Sequence, residues 1–227
     1  MANHKSDPLF LHPILHAALP GILAEIKTHL RAGWNTGTAV EGIHRTPTEQ
    51  FEIFKKGRAF QNGKWVLVNK AKKATDKDGY ENKSRHNYLP AQAVDIILLK
   101  PNGQELDAGP EEQQIGTGAA KFGLDWGGNW KRWQDLPHIE VPPARLFKKS
   151  LDLDEALQWQ KYLFHGGALT DPADLDGYFG QNSKTALQKL IGTMERTPEA
   201  WAQLYAQFGP IETLTTFQQF AWIPPVT

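Results

Sequence analysis

Hydrophobic and polar positions change period several times along this chain, and each change marks an element. Over residues 14–32, Leu15, Leu19, Ile22, Leu23, Ile26 and Leu30 recur near helical spacing, and Gly33 follows as a stop. The stretch WNTGTAVEGIHRT sets Thr38, Val40 and Gly42 against Ala39, Glu41 and Ile43, an alternation that predicts a strand. A second helix is expected from Thr46 as cap, with Pro47 in the first helical position and Glu49 three residues after the cap; it carries Phe51 and Phe54 and ends near Gly57. KWVLV (64–68) predicts a short strand. AVDIILLK (93–100) is the strongest strand signal, and the PNG that follows suggests a hairpin or a sheet edge. EEQQIGTGAAKFG (111–123) predicts a helix closed by Gly123, and LPHIEV (136–141) a last short strand before Pro142 and Pro143.

Beyond Pro143 the texture becomes helical and rich in Leu, Gln and Ala, and from Lys149 onward five basic residues stand against nine acidic ones. A boundary near 143–152 follows. Residues 1–145 are expected to form an α+β unit, a small antiparallel sheet with flanking helices, and residues 146–227 a small all-helical domain. In the second unit Leu157, Gln160 and Leu163 share one helix, and Ala186, Leu187 and Leu190 share the next. Gly177 and Gly180 shape the turn between them, with Tyr178 and Phe179 expected to plug the helix pair. Residues 197–222 predict one or two further helices.

Composition narrows the function classes. The 227 residues are 40% hydrophobic and 22% charged, ordinary globular usage. Lys+Arg 25 balance Asp+Glu 25, so the chain as a whole is not a polyanion binder and no nucleic-acid partner is expected. Cysteine is absent, which removes disulfides, thiolate zinc fingers and cysteine nucleophiles and leaves any metal to His and carboxylate. No apolar stretch approaches the roughly 20 residues that span a bilayer. The N-terminal apolar run is broken by Pro8, His12, Pro13, His16 and Pro20 and makes a poor signal-peptide core. The expectation is a monomer made in the cytoplasm. One local imbalance stands out: residues 55–85 hold ten basic residues against three acidic. That pattern reads as a solvated mobile loop, or else as a guide for an acidic polymer.

Chemistry concentrates on few positions. His4, His12, His16 and His29 have no His or carboxylate partner at a meaningful spacing and read as surface or satisfied core residues. His165, before Gly166 and Gly167, reads as a cap at a helix C-terminus. His86 lies nine residues before Asp95, and a carboxylate inside the apolar run AVDIILL is costly unless paired or bound to metal. His138 follows Asp135 by three. Two imidazoles and one carboxylate, with a fourth position for water, have the composition of a catalytic zinc site. No HExxH helix exists, so such ligands must come from strands and loops.

Taken together, IHRTPTEQ, SRHN…PAQAVDI and WGGNWKRWQDLPHIEV resemble the zinc-dependent M15 peptidases, the D-Ala-D-Ala peptidase-like group, and within it the phage-endolysin L-alanyl-D-glutamate endopeptidases. The likeness covers about residues 30–142. The nine-residue step from His86 to Asp95 is longer than in many members, the extra residues falling in the Tyr88–Gln92 turn. The resemblance implies Zn2+ held by His86, Asp95 and His138, with Asp135 as the catalytic carboxylate. It implies Arg45 as the group that stabilises the oxyanion, and Gln50 and Ser84 as lining of the substrate cleft. Glu140 either orients a ligand histidine or lies on the strand's outer face, the latter being preferred. Trp126, Trp130 and Trp133 flank the site as cleft wall or as core.

ALQWQKYLFHGG with DLDGYFGQNSKTALQKLIG resembles the small helical peptidoglycan-binding domain over about residues 152–192. The implied protein is a modular hydrolase whose partner is bacterial peptidoglycan, cutting a stem-peptide bond and reaching the wall after release from the cytoplasm. A D-Ala-D-Ala carboxypeptidase or dipeptidase is the alternative of the same class, and an inactive zinc-containing wall-binding protein the alternative of another.

Overall fold

A computed structural model describes residues 2–107 and 109–214. The first helix, α1 (Pro13–His29), begins where His12 accepts the Ile14 N–H at 3.2 Å and Pro13 occupies a position that needs no amide hydrogen. Its stripe of Leu15, Leu19, Ile22 and Ile26 is buried. Strand β1 (Asn35–Thr38) follows. The longer strand expected here stops at Thr38, because Gly42 N–H turns back to the Ala39 carbonyl and Val40 projects into solvent.

Helix α2 (Pro47–Lys55) starts on the capping box that the sequence announces: Thr46 Oγ1 accepts from Glu49 N–H, and Glu49 accepts from Thr46 N–H at 2.8 Å. Strands β2 (Arg58–Gln61) and β3 (Lys64–Leu67) then form a hairpin. Its two-residue loop, Asn62 and Gly63, has positive φ at both positions, the conformation that matches strand twist. Arg58 lies over the Phe54 ring at 3.9 Å and pairs with Asp76, and Phe51 meets Trp65 edge-on. The basic segment thus holds a hairpin packed on α2, followed by largely exposed turns.

Strand β4 (Ala93–Leu99) is flanked on both sides, so it is an interior strand and not an edge. The PNG turn does bring the chain back, but only as a single bridge from Leu99 to Glu105. Helix α3 (Gln113–Lys121), strand β5 (Asp125–Trp126) and strand β6 (His138–Glu140) complete an antiparallel sheet of order β1-β4-β6-β5. The fold is α+β, as expected. Val94, Ile96 and Leu98 of β4 point into the core beneath α1 and α3, while Asp95 points to the opposite face. The two helices approach closely at Gly118, where a Cβ would meet Ile26 at 2.7 Å.

Two single 3-10 turns (Pro143–Arg145 and Phe147–Lys149) lead into α4 (Leu151–His165), α5 (Gln181–Ile191) and α6 (Pro198–Phe208). The composition break falls on this connection, while packing runs across it. Every residue from Asp154 to Leu163 is buried, and one apolar cluster holds Ile22 and Val94 together with Trp159, Leu187 and Trp201. Trp159 Nε1 donates to the Leu89 carbonyl at 2.6 Å, and Trp201 Nε1 donates to the Leu9 carbonyl at 2.8 Å. Tyr178 does not plug the helix pair: it is 62% exposed, and only Phe179 turns inward, edge-on to Trp159. Gly177 carries the positive φ of the turn and lies against the Leu153 carbonyl, where a Cβ would sit 2.7 Å away, whereas Gly180 starts α5. Of the helices expected over 197–222, α6 is present, and residues 215–222 lie outside the described residues.

The four histidines set aside in the sequence all find carboxylates in the fold: His4 with Glu49, His12 with Asp154, His16 with Glu212 and His29 with Glu25. His165 stands in the last turn of α4, edge-on to Phe208. No helix among the described residues is long and apolar enough to cross a membrane.

Candidate active site

The register of the sheet assembles the site. Asp95 of β4 stands directly opposite His138 of β6, so both side chains leave the same face as cross-strand neighbours. His86 comes from a single 3-10 turn (Arg85–Asn87) capped by Ser84, whose N–H is in turn bound by Asn87 Oδ1 at 2.7 Å. Ser84 thus lines the cleft and also sets the turn that aims His86. A carbonyl only accepts, so the 2.7 Å contact between His86 Nδ1 and the Ile43 oxygen puts the proton on Nδ1 and leaves the Nε2 lone pair facing inward.

Three atoms converge. His86 Nε2 and His138 Nδ1 are 3.2 Å apart, His138 Nδ1 and Asp95 Oδ1 3.1 Å, and His86 Nε2 and Asp95 Oδ1 3.2 Å. A tetrahedral ion with bonds of about 2.0–2.1 Å places neighbouring ligand atoms roughly 3.3 Å from one another, so this triangle fits zinc. The outer atoms are held as well. His138 Nε2 donates to Glu140 Oε2 at 3.1 Å, Glu140 Oε1 meets Arg85 at 3.4 Å, and Asp95 Oδ2 accepts from Arg45 Nη2 at 2.6 Å. Glu140 therefore faces its histidine and not the outer side of the strand. Arg85, which sequence reasoning passed over, stands inside the SRHN motif and completes this outer ring.

Electrostatics agree with the donor set. Burial opposes a charge on His138, but hydrogen bonds accepted by Asp95 and Glu140 outweigh it and lift the imidazole to about 9. Burial pushes His86 down. Burial also opposes ionisation of Asp95, yet His86, His138 and Arg45 hold its carboxyl well below the usual range. The pocket thus favours positive charge among these three groups, and a divalent cation meets that demand with both imidazoles neutral.

Asp135 lines the same cleft. Its N–H donates to the Gly127 carbonyl and its own carbonyl accepts from His138 N–H, which ties the loop to β6. A Cβ at Gly127 would lie 2.4 Å from the Asp135 oxygen, so this approach needs glycine. Burial, and then the nearby Asp95, push the Asp135 carboxyl up. Among the described residues its carboxylate has no hydrogen-bond partner. Arg45, which lines the cleft, anchors its Nε on the Glu41 carbonyl and Nη2 on Asp95; among the described residues Nη1 has no hydrogen-bond partner. Gln50 is 1% exposed; its Nε2 donates to the Lys77 carbonyl at 3.0 Å, and its Oε1 is buried without a partner.

The tryptophans divide. Trp126 is core, its Nε1 donating to the Leu136 carbonyl. Trp130 lines the cleft with its ring centroid 5.1 Å from that of His138, and Trp133 is exposed beneath Lys73. All seven site residues expected from the sequence meet in this one opening of about 480 Å³.

A family model described as D-alanyl-D-alanine carboxypeptidase matches residues 77–141, a span that includes His86, Asp95, Asp135 and His138. The peptidoglycan L-alanyl-D-glutamate endopeptidase CwlK of Bacillus subtilis (strain 168) is 32% identical over 148 residues, 60% of this chain and 76% of the relative. The chain belongs to the M15 peptidase family. As an M15 peptidase it is an enzyme of peptide bonds, acting on peptidoglycan. The M15 match ends at Val141, so α4, α5 and α6 lie beyond it.

Proposed function

We propose that this M15 peptidase is a zinc-dependent endolysin that cuts the L-alanyl-D-glutamate bond of the peptidoglycan stem, acting as a monomer on the wall after release from the cytoplasm. The observation that carries the reading is the His86–Asp95–His138 triangle beside the unpaired Asp135 carboxylate in an open cleft. The name of the Bacillus subtilis relative favours this bond.

His86, Asp95 and His138 would hold the ion, which when bound supplies a Lewis acid and makes water a better nucleophile. Asp135 accepts the proton of the attacking water and later delivers one to the leaving amine; its raised affinity for a proton suits both tasks. Arg45 Nη1 donates to the carbonyl oxygen as that atom gains charge, a contact that strengthens toward the transition state. Gln50 lines the substrate cleft by holding its wall, with Nε2 bound to the Lys77 carbonyl. Residues 146–227 serve wall attachment, and residues 1–145 the chemistry.

Mass spectrometry of the products from purified peptidoglycan tests the reading. New N-terminal D-glutamate is the expected result. Released D-alanine would replace it with the carboxypeptidase reading, which the description of the matching family model favours. No product at all would leave a wall-binding protein.

A further inference from the structure

The charged side chains that line the cleft do not all have the same work. Asp95 and Glu140 are neutralised by Arg45, Arg85 and the imidazoles, and Arg45 and Arg85 are engaged in return. Two cations remain at the rim, Lys77 and Lys83. Lys77 has no ion-pair partner among the described residues. Lys83 lies 4.9 Å from the Tyr88 ring and reaches Asp152 at 3.2 Å, a carboxylate that is 71% exposed. Exposed pairs of this kind contribute little and are readily exchanged.

The Lys77 backbone is nonetheless fixed. Its carbonyl accepts from buried Gln50 Nε2, and its N–H donates to Thr75 Oγ1 at 3.1 Å. Two residues on, Gly79 at φ +86° presses on α2, where a Cβ would meet the Pro47 carbonyl at 2.7 Å. Beside it, Gln50 Oε1 is an unpartnered acceptor. The cleft lining thus includes, beside Gln50, two ammonium-bearing side chains that only donate.

We propose that Lys77 and Lys83 read a free carboxylate on the substrate next to the scissile bond and select it over a carboxamide at the same position. This rests on the L-alanyl-D-glutamate reading. Glutamate in such a stem has one carboxyl in the onward amide bond and a second that is either free or amidated. A free acid supplies acceptors and charge to the lysines; a carboxamide supplies neither the charge nor a second acceptor, and its N–H groups oppose ammonium donors.

The test uses the full chain and two synthetic N-acylated L-Ala-γ-D-Glu-L-Lys peptides that differ only in glutamate α-carboxylate or α-carboxamide. An ammonium–carboxylate pair at a solvated edge predicts a kcat/KM about two- to fivefold higher for the acid. Lys77→Met and Lys83→Met should each shrink that ratio, Lys77→Arg should keep it, and salt should reduce it. Calorimetric binding of the two peptides to Asp135→Asn protein should show the same preference without turnover. Equal cleavage of both peptides by the unaltered protein overturns the inference and leaves the proposed function standing. A preference that survives both methionine variants removes it from these lysines. If neither peptide is cut, the L-alanyl-D-glutamate reading falls and takes this inference with it.

Discussion

His12 and Asp154 meet at 2.9 Å with both side chains almost wholly buried, although 142 residues separate them in the chain. Asp154 also accepts the Phe147 N–H, and His12 caps α1 through its other ring nitrogen. One buried hydrogen bond, from His12 Nε2–H to the Asp154 carboxylate, therefore joins the start of α1, the connecting segment and α4. Removing the carboxylate leaves the buried His12 and Phe147 N–H donors unpaired, at a cost of about 1–3 kcal/mol. Asp154→Ala should lower the urea midpoint accordingly, with the slope unchanged. A midpoint within experimental error of the parent protein would show that the pair is not holding these elements together.

Lys161 makes the opposite contribution. It is 6% exposed with Gln158 Oε1 as its hydrogen-bond acceptor, and burial pushes its ammonium down to about 8, against the opposing pull of Asp154 and Glu212. The unfolded chain, with a lysine near 10.5, binds more protons between these values, so stability rises with pH across that window. Below pH 8 the full cost is present, up to about 3 kcal/mol from the shift alone. Lys161→Met should stabilise the protein at pH 7 and lose most of that advantage at pH 10, as read from paired denaturation curves. A variant equally unstable at both pH values would defeat the assignment.

At the acidic end Glu49 governs. Burial opposes its charge, but the Thr46 backbone N–H, His4, Thr46 Oγ1 and Lys5 hold its carboxyl at about 2, below the ordinary 4.5. Its contribution is complete above pH 4.5 and is lost as pH falls toward 2. Because the group is partly solvated, about 1 kcal/mol is expected, the scale of a helix cap. Glu49→Gln should destabilise the protein at pH 7 and converge with it by pH 2. Curves that stay parallel would assign the loss to packing instead.

At the candidate metal centre three substitutions should separate three roles. His138→Ala should abolish stoichiometric zinc in metal analysis. Glu140→Gln should keep the fold and weaken zinc about 10–100-fold, since it holds the histidine and not the ion. Asp135→Asn should retain zinc and lower turnover by about 10²–10⁴. Loss of zinc from the Asp135 variant would move that carboxylate into the ligand set.

What was legible in the sequence is what local chemistry decides. The Thr46–Glu49 capping box closes within four residues and forms as expected. The ligand triangle was legible because an aspartate in an apolar strand demands an explanation. Glu140 was misread, although residues i and i+2 of a strand share a face and His138 therefore predicts its direction. Strand β5, two residues long, has no period to detect. The partners of His4, His12 and His16 lie 45, 142 and 196 residues away, and only tertiary packing brings them together. Lys77 belongs to the same class: its sequence neighbours mark it as one of ten cations, and only the bond from Gln50 shows that its backbone is held at the cleft.

The indoles of Trp159 and Trp201 have a practical consequence for retargeting. Enzymes of this kind invite chimaeras, in which the catalytic part is joined to a foreign anchor. A graft made at Ser150 would strip acceptors from two indole N–H groups in the discarded part and expose the Leu89 and Leu9 carbonyls in the retained one. It would also leave Leu89 N–H without Glu155. A chimaera built on this scaffold has to carry its own α4 and α6, with any new anchor appended after them.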